Sequence, residues 1–140
     1  MNEPRSDCLG MRLGSAYRRV DRLFNRAYAH LGISHAHVQL LQCLLSEGEM
    51  RVVDLADRTG LDASTVSRLA KELSRRRLIR KKPDPKDGRA RLLSAAARAR
   101  ALKTELELLQ NRINEKLRRN LPPADLEGLL RATGSLDRLP

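Results

Sequence analysis

The stretch that decides the fold is "VVDLADRTGLDASTVSRLAKELSRRR", from Val52 to Arg77. It divides at Gly60, where a residue without a side chain permits a tight turn. Apolar residues at helical spacing predict a short helix over about Val53–Thr59 and a longer one that continues to about Arg76. Two helices joined by a glycine turn form the helix-turn-helix pattern, although any small helical hairpin could show the same spacing.

The longer helix carries the features that a DNA-reading helix needs. Asp62 or Ser64 is in position to cap its start, because short side chains with an oxygen accept hydrogen bonds from the free N–H groups of the first turn. One face of the helix is apolar and is predicted to be buried; it consists of Val66, Leu69, Ala70 and Leu73. Short polar and basic groups occupy the rest of the circumference, as in a recognition helix.

A basic hairpin is predicted directly after this helix, in "LIRKKPDPKDGRARLL". Leu78–Lys82 and Ala90–Leu93 are compatible with two strands. Pro83 lacks the N–H that a strand donates to its neighbour, so the strands are expected to end there. Asp87-Gly88 is a strong signal for the tight turn. A stiff, positively charged hairpin after a recognition helix is a wing.

The remaining segments are predicted to be helical. Helices are expected over about Leu9–His30, about His35–Ser46, directly after Ser94 to residue 120, and about Ala124–Ala132. The fold class is therefore mainly α with a small β-hairpin wing. The apolar stripes of the first and the long helix exceed what one wing domain covers, which favours a second subunit, although the two helices could instead pack on each other within one chain.

The predicted organisation is a single continuous domain with two regions. Residues 1–33 and 95–140, from both termini, are expected to form a helical dimerisation region, and residues 34–94 the winged helix-turn-helix DNA-binding region. The length of 140 residues fits one domain of ordinary size.

The charge of the chain points to a polyanionic partner. The sequence has 28 basic and 17 acidic residues and a net charge of +11, which favours nucleic acid, with an anionic membrane surface as the other candidate. The charge is concentrated, since residues 62–91 carry 11 basic and 4 acidic side chains. No apolar run reaches the roughly 18 residues that a membrane span needs, and no signal peptide is recognisable, so a cytoplasmic location is expected.

The wing carries the most specific resemblance. The segment from Val52 to Ser94 resembles the MarR family of bacterial winged-helix regulators, and the likeness covers about residues 34–105. Its clearest part is Asp87-Gly88-Arg89, which fits the wing pattern Asp-any-Arg. Two departures are visible: Arg77 stands where members often have Gly in a left-handed turn, at a cost of about 1 kcal/mol, and alanines after Ser94 favour an early helix start.

The resemblance implies a homodimeric regulator, most often a repressor, that binds double-stranded DNA at a pseudo-palindromic operator. Recognition helices would enter successive major grooves, wings would reach flanking minor grooves, and a small lipophilic or phenolic effector would release the protein. In this arrangement Ser64, Thr65, Ser67 and Arg68 are the candidates for base contacts. The candidates for phosphate contacts are Arg75, Arg76, Lys81, Lys82 and Lys86. Arg89 would enter the minor groove with Asp87 orienting it, and Lys71 and Arg91 complete the candidate DNA-binding set.

Other functions remain open at this stage. Cys8 precedes the first helix and is a candidate redox sensor, while Cys43, among leucines, is expected in the core. His30, His35 and His37 are interpreted as surface or interface histidines, because no carboxylate or thiolate lies near them in sequence. A non-specific architectural or RNA-binding protein is a further alternative, although the few aromatic residues all lie in the first helix. We find no catalytic, cofactor-binding or metal-binding motif.

Overall fold

In the computed structural model, which describes residues 7–140, six α-helices surround a three-stranded antiparallel sheet of order β1-β3-β2. The helices are α1 (Leu9–Tyr28), α2 (His35–Glu47), α3 (Val52–Thr59), α4 (Ala63–Arg75), α5 (Ala97–Arg119) and α6 (Pro123–Leu136). The strands are β1 (Met50–Arg51), β2 (Ile79–Asp84) and β3 (Asp87–Ala95). The predicted class, mainly helical with a small β-hairpin, is confirmed.

The core lies where α2, α3, α4 and the sheet meet. Its fully buried members include Leu41 of α2, Leu55 of α3 and Leu73 of α4, all at 0% exposure. Phe24 and Tyr28 bring the end of α1 into the same cluster, and Leu106 brings in α5. Because these side chains belong to one cluster, α4 and the hairpin that follows it are mounted on a common apolar support.

Individual residues determine where α3 ends and where α4 begins and ends. Gly60 terminates α3 with a φ of +74°, a left-handed conformation, at the position of the predicted turn. Asp62, one of the two predicted caps, accepts the Thr65 N–H at the start of α4. Beyond the end of α4, Arg77 has a φ of +59°, so the arginine does adopt the left-handed conformation that its position predicted.

The hairpin differs from its prediction at the tip. Strand β2 runs through Pro83 to Asp84, so the expectation that the strands end at Pro83 is wrong. Strand β2 lies at the edge of the sheet, where a residue without an N–H is tolerated. The turn is at residues 85 and 86, and the predicted turn pair Asp87-Gly88 instead belongs to β3, with Asp87 paired to Asp84.

Two further differences lie at either end of the sheet. Strand β1, only two residues long, pairs with β3 and is too short for its period to be recognised in the sequence. The long helix begins at Ala97 and not directly after Ser94, because Ala95 pairs with Ile79 as the last residue of β3. Sheet pairing thus overrides the high helix propensity of alanine.

The terminal helices leave apolar side chains in solvent. Helix α6 buries none of its residues. Large exposed apolar side chains on the N- and C-terminal helices and the C-terminal tail are Leu9, Met11, Leu13, Tyr17, Leu108, Leu129, Leu130, Leu136 and Leu139. Within residues 7–140, no helix has the length and apolarity that crossing a bilayer requires.

Candidate nucleic-acid interface

Helix α4 separates an apolar face from a polar one. Val66, Leu69 and Leu73 are buried against the core. The predicted base-contacting side chains lie elsewhere on the circumference, where Ser64, Ser67 and Arg68 are exposed and Thr65 is half-buried. The polar face of α4 is therefore presented to solvent by a helix whose opposite face is fixed.

The first turn of α4 is organised by the carboxylate of Asp62. Its Oδ1 accepts the Ser64 hydroxyl at 2.6 Å and the Thr65 N–H at 2.7 Å, and its Oδ2 accepts the Thr65 hydroxyl at 3.0 Å. These bonds, with that from Ser64 the largest contribution, lower the pKa of Asp62 to about 2. Since both hydroxyl protons are donated to Asp62, the two oxygens remain free to accept hydrogen bonds from base amino groups.

Arg68 is joined to a second residue of α4 and, through it, to α2. Its Nη1 lies 3.1 Å from Oε1 of Glu72, and the other carboxylate oxygen lies 2.6 Å from Nε2 of His37. The bond from His37 is the largest cause of the lowered pKa of Glu72. This series of bonds from Arg68 through Glu72 to His37 was not predicted from the sequence. His37 and Glu72 lie 35 residues apart, and the only local signal was the four-residue spacing from Arg68 to Glu72.

The wing presents several cations without acidic partners. In the part of the chain that the structure describes, the side chains of Lys81, Lys86, Arg89 and Arg91 form no ion pair and are exposed, whereas Lys82 lies 2.6 Å from Glu49. Asp87, predicted to orient the Arg89 guanidinium, accepts the backbone N–H of Arg89 at 3.1 Å. The wing cations are thus available to a polyanion at little cost in broken ion pairs.

The outer end of β2, next to the turn of the wing, contains the buried charge that the sequence did not predict. Asp84, 4% exposed, ends β2 with its Oδ1 bonded to the Lys86 N–H at 2.9 Å and its Oδ2 2.5 Å from Nη2 of Arg51. Strand β3 lies between the two strands that carry this pair. The pair therefore ties the edge strand of the wing to β1 and the body of the protein.

The basic end of α4 is less uniform than predicted. Lys71 and Arg75 are exposed and form no ion pair among residues 7–140. Arg76 lies over Gly32, where an added Cβ would come 2.7 Å from its Nη1. The guanidinium of Arg76 therefore lies close to the backbone between α1 and α2, although Arg76 is exposed like the other two cations.

The three histidines have carboxylate partners that their sequence neighbourhood did not reveal. Each faces a carboxylate from a distant segment: His30 with Glu105 at 2.7 Å, His35 with Asp21 at 2.7 Å, and His37 with Glu72 at 2.6 Å. The side chains of His35 and His37 are only 11% and 13% exposed. The sequence predicted surface or interface histidines, and these two are half-buried between helices that bring together residues far apart in sequence.

The two cysteines differ in environment. Cys8 is exposed immediately before α1. Cys43 is half-buried against the core, and burial, followed by the charge of Glu47, raises the pKa of its thiol. Because the thiolate is the reactive form of a cysteine, a raised pKa lowers the reactivity of Cys43.

A groove lies between α2 and α5, the helices that connect the winged part to the terminal helices. It has a volume of about 230 Å³. Its lining mixes apolar, amide and charged side chains: Gln42, Leu45, Ser46, Lys103, Leu106, Glu107 and Gln110. The groove can hold a small organic molecule with an apolar body and a polar group.

The architecture defines a class of protein. Two helices joined by a glycine turn, with a polar face on the second and a basic hairpin attached to its end, form a winged helix-turn-helix. The high positive charge on the hairpin fits the phosphate backbone of nucleic acid.

Comparisons with known proteins agree with this class. The structure of BpsR of Bordetella bronchiseptica, whose DNA binding is regulated by 6-hydroxynicotinic acid, aligns with 100% of this chain and 100% of its own chain. The TM-score is 0.87 and the sequences are 24% identical. A probable transcriptional regulator from Pseudomonas aeruginosa is 28% identical over 93% of this chain and 97% of that chain, with a TM-score of 0.80. A mutant of MarR from E. coli, complexed with operator DNA, is 23% identical over 89% and 92%, with a TM-score of 0.78.

A second comparison concerns the part of the chain that contains the winged helix-turn-helix. The model of the MarR family matches residues 31–90, which contain α2, α3, α4 and most of the wing. Among curated proteins, none matches the chain. Over residues 31–90 the chain is similar to the MarR family, as the resemblance of the wing predicted, and the comparisons support a DNA-binding transcriptional regulator.

Proposed function

We propose that the protein is a sequence-specific repressor that binds a pseudo-palindromic operator as a homodimer. The observation that carries the proposal is the continuity of α4 and the wing: α4 ends at Arg75, and β2 begins at Ile79. The short connection is fixed by the bond from the Leu78 N–H to the Leu73 carbonyl at 3.0 Å. A helix and a hairpin held this closely can contact adjacent grooves of one duplex together.

Different residues of this surface take different roles in the proposal. Ser64, Thr65, Ser67 and Arg68 read base edges in the major groove. Phosphates are bound by side chains that hold charge without reading sequence: Lys71, Arg75, Arg76, Lys81, Lys82, Lys86 and Arg91. Arg89, at the wing, enters the minor groove, where narrow A/T-rich stretches have the deepest negative potential. Asp87 fixes the backbone from which Arg89 extends.

The dimer is proposed to form through the terminal helices. Residues 1–33 and 95–140 would make the dimerisation region, and residues 34–94 the DNA-binding region; residues 1–6 of the first range lie outside the described part. Support comes from exposed leucines such as Leu129 and Leu130, at 45% and 60% exposure, on a helix that has no fully buried residue. Covering such side chains by a second copy removes apolar area from water.

Release of DNA by a small lipophilic or phenolic effector is the last element of the proposal. The groove between α2 and α5 supports it, since a ligand there would touch both proposed regions. Lys103 at the groove could pair with an acidic group on such a ligand. A ligand that favours one relative orientation of α2 and α5 would change the spacing of two recognition helices and so the affinity for an operator.

Selection of bound duplexes from a random pool tests the proposal directly. We expect enrichment of a two-fold symmetric sequence with half-sites centred about 10 base pairs, one helical turn, apart. The purified protein should sediment as a dimer at the same concentration. Uniform binding to all duplexes would contradict the proposal and support the non-specific architectural alternative.

A further inference from the structure

His37 connects the start of α2 to the recognition helix. Its Nδ1 accepts the Ser34 N–H at 3.1 Å, as part of the capping box of α2. A ring nitrogen that accepts a backbone N–H carries no hydrogen, so in the neutral ring the hydrogen resides on Nε2. Nε2–H then donates to Oε2 of Glu72 at 2.6 Å. The cap at Ser34 therefore fixes both the orientation and the tautomer of the ring.

The two carboxylate oxygens of Glu72 have different partners. One oxygen receives the His37 hydrogen, and the other faces Nη1 of Arg68 at 3.1 Å. If the side chains of Glu72 and Arg68 moved together to another rotamer, Glu72 would lose its bond to His37. The side chain of His37 is 13% exposed and is held in place by the cap at Ser34. An (i, i+4) pair on a free helix is weak and mobile, but this one is held from a neighbouring helix.

The consequence falls on the guanidinium of Arg68, which is 62% exposed on the polar face of α4. With one N–H engaged by Glu72, four donors remain, enough for a two-pronged contact with a guanine edge. Holding a long side chain in place reduces the entropy lost when it binds. The negative charge of Glu72 also repels phosphates, so the paired Arg68 is disfavoured as a backbone contact and favoured as a base contact.

We propose that Glu72, held by His37, is a positioning residue that directs Arg68 to a base edge and so contributes to operator specificity without touching DNA. This inference rests on the proposed sequence-specific binding. It assigns a role to two residues outside the predicted DNA-binding set. It also explains why an acidic residue stands on a helix whose partner is a polyanion.

The test compares sequence preference with total affinity. Duplex selection is carried out with the wild type, Arg68→Ala, Glu72→Gln and His37→Phe, each checked for folding by its melting curve. Arg68→Ala should lose the preference at one base pair of each half-site, about 5- to 150-fold. Glu72→Gln should weaken the preference at that same base pair several-fold and leave the other positions unchanged.

Salt dependence gives a second readout that a purely structural role would not produce. With Glu72 neutralised, Arg68 becomes free to meet a phosphate, so the plot of log affinity against log salt should steepen by about 0.9. Glu47→Gln, at the end of α2, is the matched control, because Glu47 also has an arginine partner, Arg58 at 2.7 Å, and neither residue belongs to the candidate DNA-binding set or to the proposed dimerisation region. This control should keep both the preference and the salt slope.

His37→Phe keeps the ring shape and removes the donor to Glu72. It should shift the preference at the base pair that responds to Arg68→Ala, and combining it with Glu72→Gln should add nothing further, because the two residues act as one unit. Unchanged preference at that base pair in both variants, or a uniform loss at all positions, would overturn the positioning role. A wild type without any preference would instead contradict the proposed function itself.

Discussion

Arg51 of β1 and Asp84 of β2 form an ion pair across the intervening strand β3, with Nη2 and Oδ2 2.5 Å apart. The carboxylate is 4% exposed, while the arginine side chain is 35% exposed. A buried charge needs a partner, since removing one member leaves the other without compensation. The pair therefore fixes the outer end of β2, beside the turn of the wing, and makes Arg51, far from the wing in sequence, part of the wing's structure.

Arg51→Met is expected to destabilise the protein by about 1–3 kcal/mol, because Met fills similar space but leaves the charge of Asp84 buried and unpaired. Urea unfolding monitored by circular dichroism measures the change. Lys82→Met removes an ion pair that is half-exposed on both sides and should cost no more than about 1 kcal/mol. Equal costs for the two substitutions would mean that burial of Asp84 does not matter.

Arg77→Gly should stabilise the fold. The residue has a φ of +59°, a conformation that costs a side-chain-bearing residue about 1–2 kcal/mol. Glycine removes this strain but gives the unfolded chain more freedom, so a net gain of about 0.5–1 kcal/mol is expected. The midpoint of urea unfolding should rise. Lys71→Gly, at an exposed position inside α4, is the opposite control and should lower the midpoint.

The sequence predicted the fold well where local signals agreed with packing. The apolar stripe of α4, the turn at Gly60 and the left-handed position of Arg77 were all readable, because each depends on a few neighbouring residues. The hairpin turn was misplaced, since Asp87-Gly88 is a good turn pair but the edge position of β2 allowed the strand to continue through Pro83.

Tertiary partners of the candidate site were not predictable in the same way. The carboxylates of Glu72 and Asp84 acquire their partners only when α2 packs on α4 and β1 joins the sheet. Neither event leaves a spacing signal, because the partners lie 35 and 33 residues apart. The candidate contact residues came from motif and charge, whereas the residues that hold them in place required the structure.

The first turn of α4 should make stability depend on acidity. Hydrogen bonds, that from Ser64 first, lower the pKa of Asp62 to about 2 from an ordinary value of 3.8. Because the pKa is lower in the folded than in the unfolded chain, ionised Asp62 adds to the free energy of unfolding. This contribution is complete above about pH 4 and is lost as the pH falls towards 2. Asp62→Asn keeps an oxygen that accepts the Thr65 N–H but does not titrate, so its melting temperature should fall less between pH 4 and pH 2.

The matched control for that experiment is Asp125→Asn, in the first turn of α6. The carboxylate of Asp125 accepts no hydrogen bond within residues 7–140, so this variant should follow the wild-type pH profile. If Asp62→Asn also follows the wild-type profile, the bonds of Asp62 do not stabilise its charged form.

The proposed dimer predicts a specific effect of Leu130→Glu. A charge at a position that is exposed in the single chain but buried in the dimer disfavours association and hardly affects the fold of the subunit. Sedimentation should show a shift towards monomer, and operator affinity should fall because two linked half-site contacts become one. Val53→Glu, at a similarly exposed position on α3, should remain dimeric. A dimeric Leu130→Glu would remove α6 from the interface.

Arg89→Ala tests the wing. The side chain is exposed and unpaired among the described residues, so its loss should leave the melting temperature almost unchanged. Operator affinity should weaken by about 1–3 kcal/mol, the range for a specific contact, with a reduced preference for A/T-rich flanks. Arg112→Ala on α5 removes the same charge from an exposed site outside the candidate nucleic-acid interface and should change DNA affinity little. Titration of both variants with the selected operator at fixed salt decides the matter: equal affinities would place Arg89 outside the minor groove.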